Sequence, residues 1–263
     1  MVSKSIKSMP AIFLGHGNPM NVIRPNKWRE GWTALGKVLP KPMAILAISA
    51  HWYLPATMVT AMPHPGTIHD FGGFPKELFK IRYPAPGDPA FAKRVYELLA
   101  PLPVTLDNDW GLDHGTWSVL YHMFPEADIP VVQLSIDRTK PPLLHYEIGQ
   151  RLTALRNEVI LILGSGNVVH NLQLYEWDRP GTGAFDWAAR FEKKVHELLQ
   201  SGKDDELINY SAMGMDATLS IPTPDHYLPL LYVVGSRKKD EKISFPVEGF
   251  DGGSMSMLAV KIS

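Results

Sequence analysis

Short apolar runs that stop at glycine, proline or histidine recur along the chain, and their spacing predicts strands alternating with helices. Pro10 to Leu14 reads as a buried strand halted by Gly15-His16-Gly17, and Ala44 to Ala50 as a second, halted at His51-Trp52. A third begins at Val159 and runs through Ile-Leu-Ile-Leu into Gly164-Ser-Gly-Asn-Val-Val-His170. Between the first two, Trp28, Trp32 and Leu35 fall on one face of a helix from Lys27 to Leu39, which Pro40 ends. Helices are also expected from Asp88 as N-cap through Leu99, over Ser118 to Phe124, over Leu143 to Arg156, and over Phe185 to Leu199. Further strands are expected at Thr57 to Met62, Leu102 to Leu106, Ile129 to Ile136, Lys242 to Val247 and Met255 to Ile262, the last two joined by a hairpin-like turn over 248–253.

Alternating strands and helices imply an α/β fold: a central, mostly parallel or mixed sheet flanked by helices, with a site at the carboxyl ends of its strands. Three segments fit neither period. Pro63 to Pro75 and Asp107 to Trp117 are dense in glycine and aromatics and read as ordered loops over a pocket, whereas Ser201 to Met215 reads as exterior turns. Near the end, Thr223-Pro-Asp-His226 lies close to the start of a helix that either Thr223 caps or Pro229 opens. Nothing divides the chain, so residues 1–263 are read as one domain behind a flexible lead at 1–9.

Composition narrows the chemistry. Apolar residues make up 45% and charged residues 20%, the balance of a globular protein. A net charge of −1 gives no electrostatic footprint for nucleic acid or an anionic membrane surface. The N-terminal stretch has no long apolar h-region before the first strand and reads as neither signal peptide nor membrane span, and the absence of cysteine fits a reducing cytoplasm. With no thiolate, a metal must be held by His, Asp, Glu or water.

Candidate ligands are His16, His51, His170 and His226, because three follow predicted strands and the fourth sits in a proline-defined loop. Neutral imidazoles suit Fe(II), Zn(II) and related ions, and a catalytic site must keep one position exchangeable. The competing explanation is that Gly15-His16-Gly17 and Gly164-Ser-Gly166 only make tight turns. Gly164-Ser-Gly166 lacks the spacing of a serine nucleophile elbow and of a dinucleotide fingerprint. His114, between Asp113 and Gly115, is the candidate general acid or base. His64, His69, His122 and His145 carry less specific signals, and His196 reads as a surface or half-buried position.

The order of Leu14-Gly-His-Gly-Asn-Pro-Met20, Ser49-Ala-His-Trp52, Ile68-His-Asp-Phe-Gly-Gly-Phe-Pro75, Asp113-His-Gly115, Gly166-Asn-Val-Val-His170 and Thr223-Pro-Asp-His-Tyr-Leu-Pro-Leu230 resembles the DOPA-type extradiol dioxygenases, a branch of the class III aromatic ring-opening dioxygenases. The resemblance spans nearly the whole chain. It implies that His16, His51 and His226 bind the metal. It further implies that His170 belongs to the metal shell, especially with zinc, or does acid/base work, and that His114 contacts substrate or a dioxygen-derived species. The wider class usually offers two histidines and a carboxylate to Fe(II). Here His226 stands where the carboxylate is expected, and Asp225 beside it is only a speculative substitute.

The resemblance therefore implies Fe(II) as the working cofactor, with Zn(II) an alternative ion in isolated protein, and O₂ plus a small aromatic diol as reactants. With DOPA as the diol, 4,5-cleavage would give a seco-DOPA semialdehyde. Trp52, Phe71, Phe74, Trp110 and Trp117 are candidates to wall the pocket, against the competing reading that each packs among loop residues, and Trp52, His69 and Tyr227 are candidate substrate contacts. Zinc-dependent hydrolysis and a noncatalytic metal-binding scaffold are the competing functions. Monomer and homodimer are both open, as is the identity of the diol.

Overall fold

Within the buried strands, side chains alternate between two cores, and that alternation builds three layers. The computed structural model describes residues 8–178 and 183–263. In chain order the strands are β1 (Ala11–Gly15), β2 (Ala44–Ser49), β3 (Tyr53–Leu54), β4 (Thr57–Thr60), β5 (Val104–Asp107), β6 (Val131–Gln133), β7 (Ile136–Asp137), β8 (Ile160–Gly166), β9 (Ile243–Ser244), β10 (Phe250–Asp251), β11 (Met255–Ser256) and β12 (Ala259–Ile262). The helices are α1 (Lys27–Val38), α2 (Pro89–Leu99), α3 (His114–Met123), α4 (Pro142–Leu152), α5 (Asp186–Ser201), α6 (Asp204–Ile208), α7 (Met215–Ser220) and α8 (Leu228–Gly235). Ile12, Leu14, Ile45, Ala47, Leu161 and Leu163 pack with Trp32 and Leu35 of α1 and with Trp117 and Leu120 of α3. Ala11, Phe13, Leu46, Ile48 and Ile162 face the other way, onto Val95 of α2, Ile148 of α4, Val195 of α5 and Leu231 of α8.

The central sheet has the order β6-β2-β8-β1-β12-β9. Its first four strands run parallel, and β12 and β9 add antiparallel neighbours, so the sheet is mixed. The chain leaves β2 toward β6 on one side and leaves β8 toward β12 on the other. Their carboxyl ends thus flank a switch point, where open α/β sheets hold their ligands.

Register then places the histidines. Leu14, Ser165 and Ser49 stand in one row across β1, β8 and β2, and His16 and His51 each follow two residues beyond it. Both therefore emerge at the same level and on the same side of the pleat.

Several boundaries differ from the sequence reading. The helix expected from Ser118 starts at His114, capped by Asp113, whose carboxylate accepts the Thr116 N–H at 3.1 Å. The strand expected over Ile129 to Ile136 divides into β6, paired with β2, and β7, paired with β3. Likewise Met255 to Ile262 divides into β11, which pairs with β10, and β12, which pairs with β1. Ser201 to Met215 contains α6 and a 3-10 turn at Tyr210–Met213; such short elements expose too few turns for periodicity to show. Most of the expected lead falls outside the described residues, but Met9 is buried and its N–H donates to the Arg156 carbonyl at 2.7 Å. No helix among the described residues is long and apolar enough to cross a membrane.

Candidate metal centre

Five imidazoles meet beyond the sheet's carboxyl edge. His16 follows β1, His51 follows β2, His114 opens α3, His170 follows the turn after β8, and His226 ends the 3-10 turn Pro224–His226 before α8. Ring centroids lie 5.0 Å apart for His16 and His51, 5.2 Å for His16 and His226, 5.2 Å for His51 and His226, and 3.9 Å for His51 and His114. His170 stacks on His226 at 3.5 Å with an interplanar angle of 4°. One donor atom from each of His16, His51 and His114 can be chosen within 4.8 Å of the others.

The hydrogen bonds behind these rings orient their lone pairs. The Ser165 hydroxyl donates to the Gly115 carbonyl at 2.5 Å, so it can only accept at its 3.0 Å contact with His16 Nδ1. That contact places the proton on Nδ1 and the lone pair on Nε2. Asp70 Oδ2 lies 3.1 Å from His51 Nδ1 and 3.0 Å from His114 Nδ1, and Asp225 accepts from His226 Nδ1. Four rings thus turn a lone pair toward the shared space, each held from behind by an oxygen, as metal-binding histidines are.

This arrangement fits a metal ion. His16 Nε2 and His51 Nε2 are 3.1 Å apart. With both protons committed at Nδ1, two lone pairs face each other and repel, and a cation between them turns the repulsion into two bonds. Two imidazole nitrogens bonded to one ion at about 2.1 Å would have a comparable separation.

Electrostatics favour the neutral form of four of the five imidazoles and keep the carboxylates ionised. Burial, followed by the charges of His51 and His226, pushes His16 well below its ordinary pKa. Burial and then His226 do the same to His170, while burial lowers His226 against the opposing pull of Asp225. Burial and His51 bring His114 down to about 4. At His51 burial is outweighed by the Asp70 hydrogen bond and the charges of Asp113 and Asp70, so its pKa rises. Burial works against the anionic forms of Asp70 and Asp225, yet their imidazole partners hold both well below the usual carboxylate range.

The rings border a cavity of about 240 Å³ that is also lined by Asn18, Pro19, Phe71, Phe74, Leu172, Trp177 and Met255. Phe71 and Phe74 stand where the sequence reading placed them, but the other expected wall residues do not line it. Trp52 is buried and stacked on Trp110 at 5.7 Å and 3°. Trp117 is buried, with its indole N–H donated to the Ile68 carbonyl at 2.8 Å. Tyr227 points into the opposite core and donates to the Leu207 carbonyl at 3.0 Å. His69 packs against Phe79 and Trp117, with Nε2 3.1 Å from the Ile81 carbonyl. Trp52, His69 and Tyr227 thus do not line this cavity: each side chain satisfies its packing or hydrogen bonding away from it.

In the aromatic loop it is Asp70, next to His69, that reaches the centre. Asp225 supports His226 from behind, and the serine of Gly164-Ser-Gly166 supports His16. Leu172 and Trp177 carried no sequence signal, because isolated apolar residues in turns look alike whether they line a cavity or not, and Met255 read only as a strand residue.

Comparison with known proteins agrees with this architecture. The chain is 53% identical over 258 residues to the 4,5-DOPA dioxygenase extradiol of Escherichia coli (strain K12), covering 97% of this chain and 94% of the relative. It is 37% identical over 264 residues to the 4,5-DOPA dioxygenase extradiol of Beta vulgaris, covering 95% of each. The crystal structure of an uncharacterized Escherichia coli K12 protein superposes with a TM-score of 0.85 at 49% identity, over 97% of this chain and 100% of that one. Residues 26–252 match the model of the catalytic LigB subunit of aromatic ring-opening dioxygenase, and the chain belongs to that family.

Proposed function

We propose that this metal-dependent extradiol dioxygenase opens the ring of DOPA or a closely related catechol at the 4,5 bond, using Fe(II) held by His16, His51 and His226. The observation that carries the reading is the set of imidazole lone pairs turned onto one cavity, each fixed from behind by an oxygen. Bound iron would supply a common site for catechol and O₂ and a route for electrons between them. A cavity of about 240 Å³ is below the roughly 300–1,000 Å³ range of drug-sized ligand sites and suits a single-ring diol.

Each residue then has a task. Three neutral imidazoles leave the charge of a divalent ion uncompensated, which favours the anionic form of the diol over a neutral one. His170 is kept neutral by burial and by His226, and neither of its ring nitrogens is hydrogen-bonded among the described residues. In this reading it accepts a catechol proton. His114 is likewise neutral, with Nδ1–H committed to Asp70, so its Nε2 can take up a proton and return it as the ring opens. Phe71 and Phe74 meet edge to face at 5.4 Å and offer the diol an aromatic wall that excludes water. A cysteine-free chain working with ferrous iron fits a reducing cytoplasm.

Anaerobic loading with Fe(II), and separately with Zn(II), followed by DOPA and O₂ tests the proposal. Oxygen uptake with a ring-opened semialdehyde from the iron-loaded protein alone is the expected result. Oxygen-independent turnover by the zinc form would replace it with the hydrolase reading, and metal uptake with no catechol binding would replace it with the scaffold reading.

A further inference from the structure

We infer that Asp70 is the positioning residue of the centre, setting with one carboxylate the tautomers of both a metal-binding imidazole and a proton-handling one. Its Oδ2 lies 3.1 Å from His51 Nδ1 and 3.0 Å from His114 Nδ1, while Oδ1 accepts the His114 backbone N–H at 2.9 Å. All three contacts require Asp70 to accept. Losing that acceptor therefore frees two rings at once, together with the first turn of α3.

The same residue belongs to the cavity wall. Asp70 precedes Phe71, whose ring meets His114 edge to face at 5.3 Å, and the loop turns immediately afterwards at Gly73, where φ is +77°. An aromatic ring held against Phe71 and Phe74 thus presses on the segment that carries the carboxylate. His51 and His114 work as one unit because their rings, 3.9 Å apart, share this single anchor.

Asp70→Asn separates a positioning role from a merely structural one. If the amide oxygen takes the place of Oδ1, the NH₂ group faces both Nδ1 atoms and drives their protons to Nε2, removing the lone pairs that face the cavity. If the amide is reversed, its NH₂ meets the His114 backbone N–H, donor against donor. The first orientation resets both tautomers, and the second keeps an acceptor for the rings only by giving up the hydrogen bond that seats the start of α3.

Three readouts test the assignment, and only the last depends on the dioxygenase reading. In metal-free wild-type protein, ¹⁵N-detected histidine spectra should show the Nδ1–H tautomer at both His51 and His114; an Nε2–H tautomer at either overturns the inference without any variant. Chelator competition should show Fe(II) or Zn(II) binding weakened roughly 10- to 100-fold in Asp70→Asn, with partial recovery in Asp70→Glu. At saturating iron, kcat for catechol should fall more than KM rises. Metal affinity within twofold of wild type, with Nδ1–H retained in a folded Asp70→Asn protein, would make Asp70 structural only. If wild type turns over no catechol, the functional reading fails while the tautomer and metal readouts still judge Asp70.

Discussion

At Gly166 the end of β8 packs against the backbone of His226, so adding one methyl group there probes how the fold holds the site. An ideal Cβ on Gly166 would stand 2.1 Å from the His226 carbonyl oxygen and 3.0 Å from its carbonyl carbon, where ordinary contact begins at 3.4 Å. Both atoms are backbone, so no rotamer change relieves the clash, and the segment carrying His226 must retreat by roughly 1 Å, a displacement that can cost about 10²-fold in rate at a catalytic centre. Gly149→Ala is the matched control. Its Cβ would stand 2.3 Å from the Tyr232 carbonyl oxygen, at the contact between α4 and α8 rather than at the centre. Overpacking costs typically about 1–3 kcal/mol, so both variants should lose a comparable amount in urea unfolding. Only Gly166→Ala should also lose metal affinity, together with about 10²-fold in kcat/KM. Equal kcat/KM in the two variants, or Gly166→Ala protein binding iron as wild type does, would refute the claim that the β8 backbone positions His226.

Two further outcomes follow from the same structure. His226→Ala should abolish stoichiometric iron binding, whereas His114→Ala should keep the iron and lose turnover by roughly 10²- to 10⁴-fold, as for loss of a general acid or base; metal analysis and oxygen uptake check both. Glu192 sits beneath the Ser256 hydroxyl, and burial pushes its pKa from 4.5 up to about 7. Since the folded state binds that proton more tightly than the unfolded state, the protein should lose stability as pH rises through this window. Glu192→Gln should remove that slope and gain up to about 3 kcal/mol at pH 8, read by urea unfolding at pH 5 and pH 8.

The layered α/β frame was legible because its strands are short apolar runs with abrupt ends and its longer helices have clear faces, as Trp28, Trp32 and Leu35 do in α1. His16 and His51 were legible as a pair for the same reason, since both terminate such runs. Hidden from the sequence was the register that sets Leu14, Ser165 and Ser49 in one row, because pairing between distant strands leaves no mark on local periodicity. Gly115 misled the reading of α3. A glycine one residue into a helix looks like a loop, yet here a Cβ would lie 2.5 Å from Ser49 Oγ and 2.9 Å from His51 Cδ2. Its absence lets the helix start approach the end of β2 and brings His114 to the centre. Which aromatic residues border the cavity was not legible, because Trp52 and Trp117 look alike in sequence whether they stack in the core or meet a substrate. The supporting shell of Asp70, Ser165 and Asp225 was the hardest to read, since each acts on a ring only through the folded geometry.

A crystal structure of the iron-loaded protein, grown without oxygen and soaked with catechol, tests the central claim most directly. The account predicts one ion bonded to Nε2 of His16, His51 and His226, with the diol seated against Phe71 and Phe74. An ion bound through Nδ1, or held elsewhere while these rings keep their present hydrogen bonds, would contradict it.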